Sequence, residues 1–308
     1  MRDNFIRKVL TTIASPVAKL LHSTGLLTPG IIIKVDGGIS SQMHHYIAGE
    51  ILRENSDPNL VYDLVWFKEC GKDIDGIQVR NFDLLNLFPD LKVPTRINPL
   101  KLRLYRLLYT YTPDWQNSKF SWKKLQPPLY ISGYLPGDKD FFHDMSRIFK
   151  CNPVNLSDCD LHLADLIENE EQSVGIHVRR GDLTRYLPSY GAPASKEYFI
   201  RAIEFLREKY SGENLKFFIF SDEPDWVKEE LLPALPQGEY LVQDQNDASK
   251  GYVDLWLLSR CKHKISSAGS FGKYAYLLNR ADGCLIIPDC KESHHWKEKI
   301  PEAIMIPN

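Results

Sequence analysis

A chain of 308 residues with 43% hydrophobic and 25% charged side chains has the makeup of a soluble globular protein, long enough for one large domain or two ordinary ones. Its net charge of −2 supplies no global basic field, so nucleic-acid binding is not expected and any anion site must be built locally. The six cysteines (Cys70, Cys151, Cys159, Cys261, Cys284 and Cys290) form no C-x-x-C pair, which argues against a zinc site and for reduced thiols in a cytoplasmic protein.

Along Met1 to Leu27, Phe5, Ile6, Val9, Leu10, Ile13, Val17, Leu20 and Leu21 recur three and four apart among Arg2, Arg7, Lys8 and Lys19. The spacing predicts an amphipathic helix interrupted near Pro16 and too polar to span a bilayer. Two placements stay open for it: on an anionic membrane surface, or packed on the chain's own domain. Ile31–Val35 reads as a first buried strand, Asp36-Gly37-Gly38 as a turn, and Ser41–Arg53 as a helix. Gly37-Gly38 between strand and helix is a weak phosphate-loop signal without a full G-x-G-x-x-G, and a tight turn explains it as well. Adjacent His44 and His45 cannot share one helix face, so they do not predict a metal site. Leu60–Phe67 reads as a second strand. Between Phe82 and Phe149 the elements are placed only loosely. Leu102–Thr112, Trp115, Phe120 and Trp122 suit a core and a sugar platform equally.

From Ser173 the pattern is regular. Strands over 173–178, 216–220, 240–242, 264–267 and 284–287 alternate with helices over 196–210, 252–261 and 271–279, and Ser221-Asp-Glu-Pro224 opens a further helix. Such alternation predicts a parallel sheet with right-handed crossovers, and two Rossmann-like halves meeting near residues 150–172. The stretch Ser173-Val-Gly-Ile-His-Val-Arg-Arg-Gly-Asp182 runs a buried strand into a loop with two guanidiniums. Open α/β sheets bind ligands at the carboxyl ends of their strands, and the forks of Arg179 and Arg180 suit a phosphate or pyrophosphate. The plain alternative is a surface pair bridged to Asp182. Asp254 opens an apolar helix as an isolated aspartate, and Ser270 stands at the N-cap of the next, where N–H groups and a hydroxyl can receive an anion. Taken alone, both are read more simply as helix caps. The strings Asp73-Ile-Asp75 and Asp158-Cys-Asp160 lie in loop-like, charge-rich surroundings and read as solvated surface, so no metal site is expected.

His177-Val-Arg-Arg-Gly-Asp182 resembles the H-x-R-R-G-D signature of the α-1,2-fucosyltransferases, glycosyltransferase family 11. Lys34–Met43 resembles that family's opening strand and Gly-Gly-Leu-Gly-Asn-Gln-Met loop, and Phe220–Pro224 its F-S-D-D/E segment. Asp254–His263, running on to Ser270-Phe271 and Leu278-Asn279, resembles its third motif block. The chain departs from the pattern at Ile39-Ser40-Ser41, where the family shows Leu-Gly-Asn. It departs again at Ala268-Gly269-Ser270 for Asn-Ser-Ser, and at Lys273-Tyr274 for paired tryptophans.

The resemblance implies a GT-B-like α/β fold with the active site in the cleft between two Rossmann-like domains. The expected division is an N-terminal extension over 1–30, an acceptor-side domain over 31–155 and a GDP-sugar domain over 156–308. It implies inverting, metal-independent transfer of L-fucose from GDP-fucose to the 2-hydroxyl of a terminal galactoside. The acceptor would be a glycan or lipid-linked oligosaccharide in surface polysaccharide or O-antigen synthesis, with no cofactor beyond the donor. The place implied is the cytoplasm, with contact at the inner membrane face through residues 1–28. Arg179 would stabilise the diphosphate, helped by the helix terminus at Ser270 and Phe271, and Arg180 would support it or pair with Asp182. His177 would orient the loop or bind the nucleotide. Gly37 and Gly38 would approach the donor, and Asp254 would read guanine. The Asp254-to-Ser270 spacing also resembles α-1,6-fucosyltransferases, where such a pair contacts guanine and phosphate. Asp182 and Asp36 are the candidate bases, and no His–Asp arrangement is evident. The alternatives are another linkage, another GDP-sugar, or a nucleotide- or glycan-binding relative without turnover.

Overall fold

A computed structural model describes residues 15–16, 18–23, 25, 28–57, 59–72, 79–115, 117, 120–137, 141–142, 145–185, 192–279 and 282–308. The chain divides into two compact units, each built on its own parallel sheet. This is the α/β fold class expected, with two Rossmann-like units.

The first unit comprises Met1–Gly37, Ser41–Gly71 and Leu91–Pro136. Its strands β1 (Ile31–Lys34), β2 (Val61–Asp63), β3 (Thr110–Tyr111) and β4 (Leu129–Ile131) pair in the order β2-β1-β4-β3. Three successive isoleucines make β1 a strand buried on both faces, as a central parallel strand requires. The strand expected over Leu60–Phe67 stops at Asp63, because Asp63 Oδ1 accepts the Val65 N–H at 3.0 Å and helix Val65–Glu69 begins there. Helix Pro99–Leu108 is capped by Asn98 and carries a proline in its first turn; it buries Leu102 and Tyr105 against Ile32 and Tyr130. That part of the aromatic-rich stretch is core. Leu21 joins this core, and His22 meets the edges of Tyr105 and Tyr109. Leu20 of the same pattern is exposed, and Phe5 to Ile13 and Val17 lie outside the described residues. Among the described residues no helix is long and apolar enough to cross a membrane.

The second unit comprises Gly38–Ser40, Lys72–Asp90 and Gly137–Asn308. Its strands are β5 (Ser173–Val178), β6 (Lys216–Ser221), β7 (Glu239–Gln243), β8 (His263–Ser266), β9 (Leu285–Asp289) and β10 (Ile304–Pro307), in the order β10-β9-β8-β5-β6-β7. Taking β5 as first, this is the doubly wound order 3-2-1-4-5-6. The order reverses between β5 and β8, whose register sets His177 beside Ser266. Helix Lys196–Lys209, capped by Ser195, packs Tyr198, Phe199, Ala202, Ile203 and Leu206 into the core beneath. β10 and helix Lys291–Lys299 extend the unit past the last strand predicted from sequence.

Residues Asp158–Glu168 form a helix, which corrects the reading of Asp158-Cys-Asp160 as a solvated loop. Ser157 and Asp160 make a reciprocal capping box, and Asp160 is 0% exposed. Asp73 and Asp75 lie outside the described residues.

Candidate active site at the carboxyl ends of β5 and β8

The seam between β5 and β8 is closed by Ser267. Its N–H donates to the His177 carbonyl at 3.0 Å, and its Oγ accepts the Arg179 N–H at 2.9 Å. The same hydroxyl lies 3.2 Å from His177 Nδ1, within hydrogen-bond distance. His177 is 7% exposed, and its ring stacks on Phe271 with centroids 4.9 Å apart. Burial, reinforced by the positive charges of Lys273 and Arg179, pushes the imidazole down to about 3. At neutral pH His177 is therefore an uncharged ring joining β5 to Phe271.

Arg179 points its fork along the loop. Nε meets Asp182 Oδ1 at 3.0 Å and Nη2 meets Oδ2, one turn on in helix Gly181–Arg185. Burial works to raise Asp182, but the hydrogen bonds and charge of Arg179, with the charge of Arg80, hold it below the usual carboxylate range. Its evident work here is to aim Arg179. Arg180 takes the other direction and does not reach Asp182. It bonds Glu223 Oε2 at 3.3 Å, and its guanidinium lies 3.8 Å over the Trp226 ring.

Three further residues, to none of which the sequence gives a role, shape the loop. Asp222, in the F-S-D-E segment, accepts the N–H groups of Arg180 at 2.9 Å and Gly181 at 3.1 Å, so it pins the backbone on both sides of the turn. Gly269 has φ +87, and a Cβ there would lie 2.5 Å from Arg179 Nη1; only glycine lets the guanidinium occupy that place. Arg80 has its Cζ 3.8 Å from where a Cβ on Gly38 would sit, and its charge acts on Asp182. Ser270 holds the N-cap position of helix Phe271–Leu278, but its side chain makes no capping bond.

Asp254, in the first turn of helix Gly251–Arg260, is not isolated as its sequence surroundings imply. Asn246 Nδ2 donates to Asp254 Oδ1 at 2.8 Å and to Asp160 Oδ1 at 3.1 Å. Desolvation, with the Asp160 charge adding, raises Asp254 to about 7 against the hydrogen bonds of Asn246 and Gln243 and the charge of Lys250.

At the end of β1 the structure shows a His–Asp contact that the sequence does not announce. His45 Nε2 lies 3.3 Å from Asp36 Oδ1, and Lys34 Nζ lies 2.7 Å from Oδ2. Burial opposes ionisation of Asp36, but His45 and Lys34 together bring it down to about 2. His45 stacks on Tyr134 at 4.9 Å, while His44 turns to the Leu135 carbonyl at 2.7 Å, so the adjacent histidines diverge as helix geometry demands. Gly37, at φ +73, makes the turn into helix Ile39–Asn55, where a Cβ would lie 2.8 Å from Ser41 Oγ.

The family model for glycosyl transferase family 11 matches residues 102–308. An alpha-1,2-colitosyltransferase of Escherichia coli is 23% identical over 275 residues, covering 84% of this chain and 91% of that protein. Galactoside alpha-(1,2)-fucosyltransferase 1 of Saimiri boliviensis boliviensis is 26% identical over 217 residues, 63% of this chain and 55% of its own length. The chain thus spans about half of that primate relative. Among solved structures, NodZ alpha-1,6-fucosyltransferase soaked with GDP-fucose aligns with a TM-score of 0.47 at 14% identity, over 82% of this chain and 92% of that one. POFUT1 in complex with GDP aligns with a TM-score of 0.46 at 11% identity, over 91% and 99%.

Proposed function

The chain belongs to glycosyl transferase family 11, and on that footing we propose that it transfers L-fucose from GDP-fucose, with inversion and without a metal, to the 2-hydroxyl of a terminal galactoside. The observation that carries this reading is the fixation of Arg179 at the strand-order reversal of a doubly wound sheet, by Asp182, Ser267 and the space left at Gly269. As the acceptor oxygen attacks the anomeric carbon, the bond to the diphosphate breaks and negative charge accumulates on GDP. A preoriented guanidinium stabilises that charge more in the transition state than in the ground state. The N–H groups opening helix Phe271–Leu278 add to it. Asp254, as a carboxylate, accepts the two N–H groups of a guanine edge. His177 stays neutral and holds the seam.

The acceptor in this reading is a galactose-terminated glycan, free or lipid-linked, in surface polysaccharide assembly. The test is incubation of purified protein with GDP-fucose and β-galactosides in EDTA, followed by GDP release and linkage analysis. An α-1,2-fucosylated product is expected; no transfer to any galactoside contradicts the reading. A second reading, α-1,2 transfer of a colitosyl residue, is favoured by the similarity to the E. coli colitosyltransferase over 84% of this chain. Competition between GDP-fucose and GDP-colitose separates the two.

A further inference from the structure

Helix Phe271–Leu278 carries a lysine where its surroundings are apolar. Lys273 is 0% exposed, lies between Gly272 and Tyr274 in a wholly buried run, and donates from Nζ to the Ser267 carbonyl at 2.8 Å. No carboxylate among the described residues reaches it at ion-pair distance. The acidic group nearest in effect is Glu292, and both of its oxygens are engaged elsewhere. Oε2 accepts the Gly269 N–H at 2.9 Å and Oε1 accepts Trp296 Nε1 at 2.8 Å. A buried ammonium held by one neutral acceptor is only partly compensated, so its field extends into its surroundings.

Those surroundings are the candidate site. Lys273 bonds the carbonyl of Ser267, the residue whose hydroxyl holds the Arg179 N–H and His177 Nδ1. Its charge depresses His177 and opposes that of Arg179, which shows that the two cations act on one region. Burial works against the ammonium form of Lys273 and brings it below the ordinary lysine value, with the Arg179 charge adding to that, while Glu292 and Cys290 act to keep it charged.

We propose that Lys273 is a buried counter-charge for the diphosphate of the donor, a positioning residue that fixes the β8 end through the Ser267 carbonyl and strengthens the anion site without touching the ligand. The inference rests on the reading that the diphosphate binds at Arg179. A buried cation attracts an approaching anion more strongly than one on the surface, because less water screens it. A lysine at 273, where the family pattern has tryptophan, thus gives this chain a second positive charge at the site.

The test is calorimetric binding of GDP and of guanosine to wild type, Lys273→Met and Arg179→Ala across a salt series. Lys273→Met is expected to weaken GDP by about 10-fold or more and leave guanosine unchanged, with the loss persisting across the salt series because a buried charge is little screened. Unchanged GDP affinity in Lys273→Met, beside a loss in Arg179→Ala, overturns the inference alone. Unchanged affinity in Arg179→Ala overturns the placement of the diphosphate itself. Should Lys273→Met fail to fold, Glu292→Gln removes the opposing negative charge while keeping an acceptor for Gly269. Tighter GDP binding with guanosine unchanged is then expected, and no tightening contradicts the proposal.

Discussion

Arg179 and Ser267 stand 88 residues apart in sequence and meet at 2.9 Å, backbone N–H to side-chain Oγ, where the strand order of the larger sheet reverses. That bond fixes where the Arg179 backbone leaves β5, and Asp182 then fixes where its fork points. Position and aim are separate, and each can be removed on its own.

Removing the fork is the severest change. Arg179→Ala should lower kcat by at least ~100-fold, as for loss of one transition-state donor. Arg179→Lys should not restore it, because a single ammonium cannot reproduce a planar fork. Steady-state kinetics with both variants check this, and near-normal turnover in either removes Arg179 from its role.

Displacing the fork without deleting it should show in kcat rather than in the fold. Gly269→Ala places a methyl 2.5 Å from Arg179 Nη1 and demands φ +87 of an alanine. The backbone strain costs on the order of 1 kcal/mol, and the guanidinium must move. A kcat loss of at least about 10-fold with the melting temperature lowered by only a few degrees is the expected pattern. Unchanged kcat would show that Arg179 can work from a different position.

Asp222 offers a test of the loop's backbone. Asp222→Ala removes the acceptors of the Arg180 and Gly181 N–H groups, which water can then reach, and should destabilise the fold by about 1 kcal/mol. Denaturant midpoints measure the loss. Asp222→Asn, which keeps one acceptor, should fall between. Equal stability of all three proteins contradicts the pinning role.

Asp254 makes a signed prediction about pH. Its folded value of about 7 lies above the ordinary 3.8, so between those values the native state holds a proton that the unfolded chain has released. Its contribution to stability therefore falls as pH rises through that window and levels off above about 7. Relative to Asp254→Asn, wild type should lose a few kcal/mol between pH 4 and pH 8. If the carboxylate form receives guanine, GDP binding at pH 6 should also release a proton. Calorimetry in two buffers of different ionisation enthalpy reads this. No proton release at pH 6 would separate Asp254 from guanine recognition.

What could be read from the sequence divides by range of interaction. β5 and β6 were legible because strands buried on both faces read as apolar runs, such as Val174, Ile176 and Val178. The two-residue β3 and three-residue β4 are too short for any periodicity to show. Arg179 and Asp182 were marked by one local motif. Ser267 and Glu292 act on that motif from elsewhere in the chain, and nothing local distinguishes them from ordinary loop and helix residues; Gly269 stands out only as a departure from the family pattern. Asp222 does carry a signal, since its segment resembles the family's F-S-D-D/E pattern, but only the fold shows what it holds. Asp160 misled because an Asp-x-Asp string and a capping box look alike until the helix is seen. The His45–Asp36 contact joins a strand end to the helix after it, nine residues on, and is set by the turn at Gly37.

The central claim, a GDP-sugar site built on Arg179, is tested most directly by calorimetric titration of the whole chain with GDP, GDP-fucose and UDP-galactose in EDTA. The account predicts binding of GDP and GDP-fucose, unaffected by chelation and lost or strongly weakened in Arg179→Ala. Binding of UDP-galactose in their place, or binding that disappears with the chelator, would contradict it.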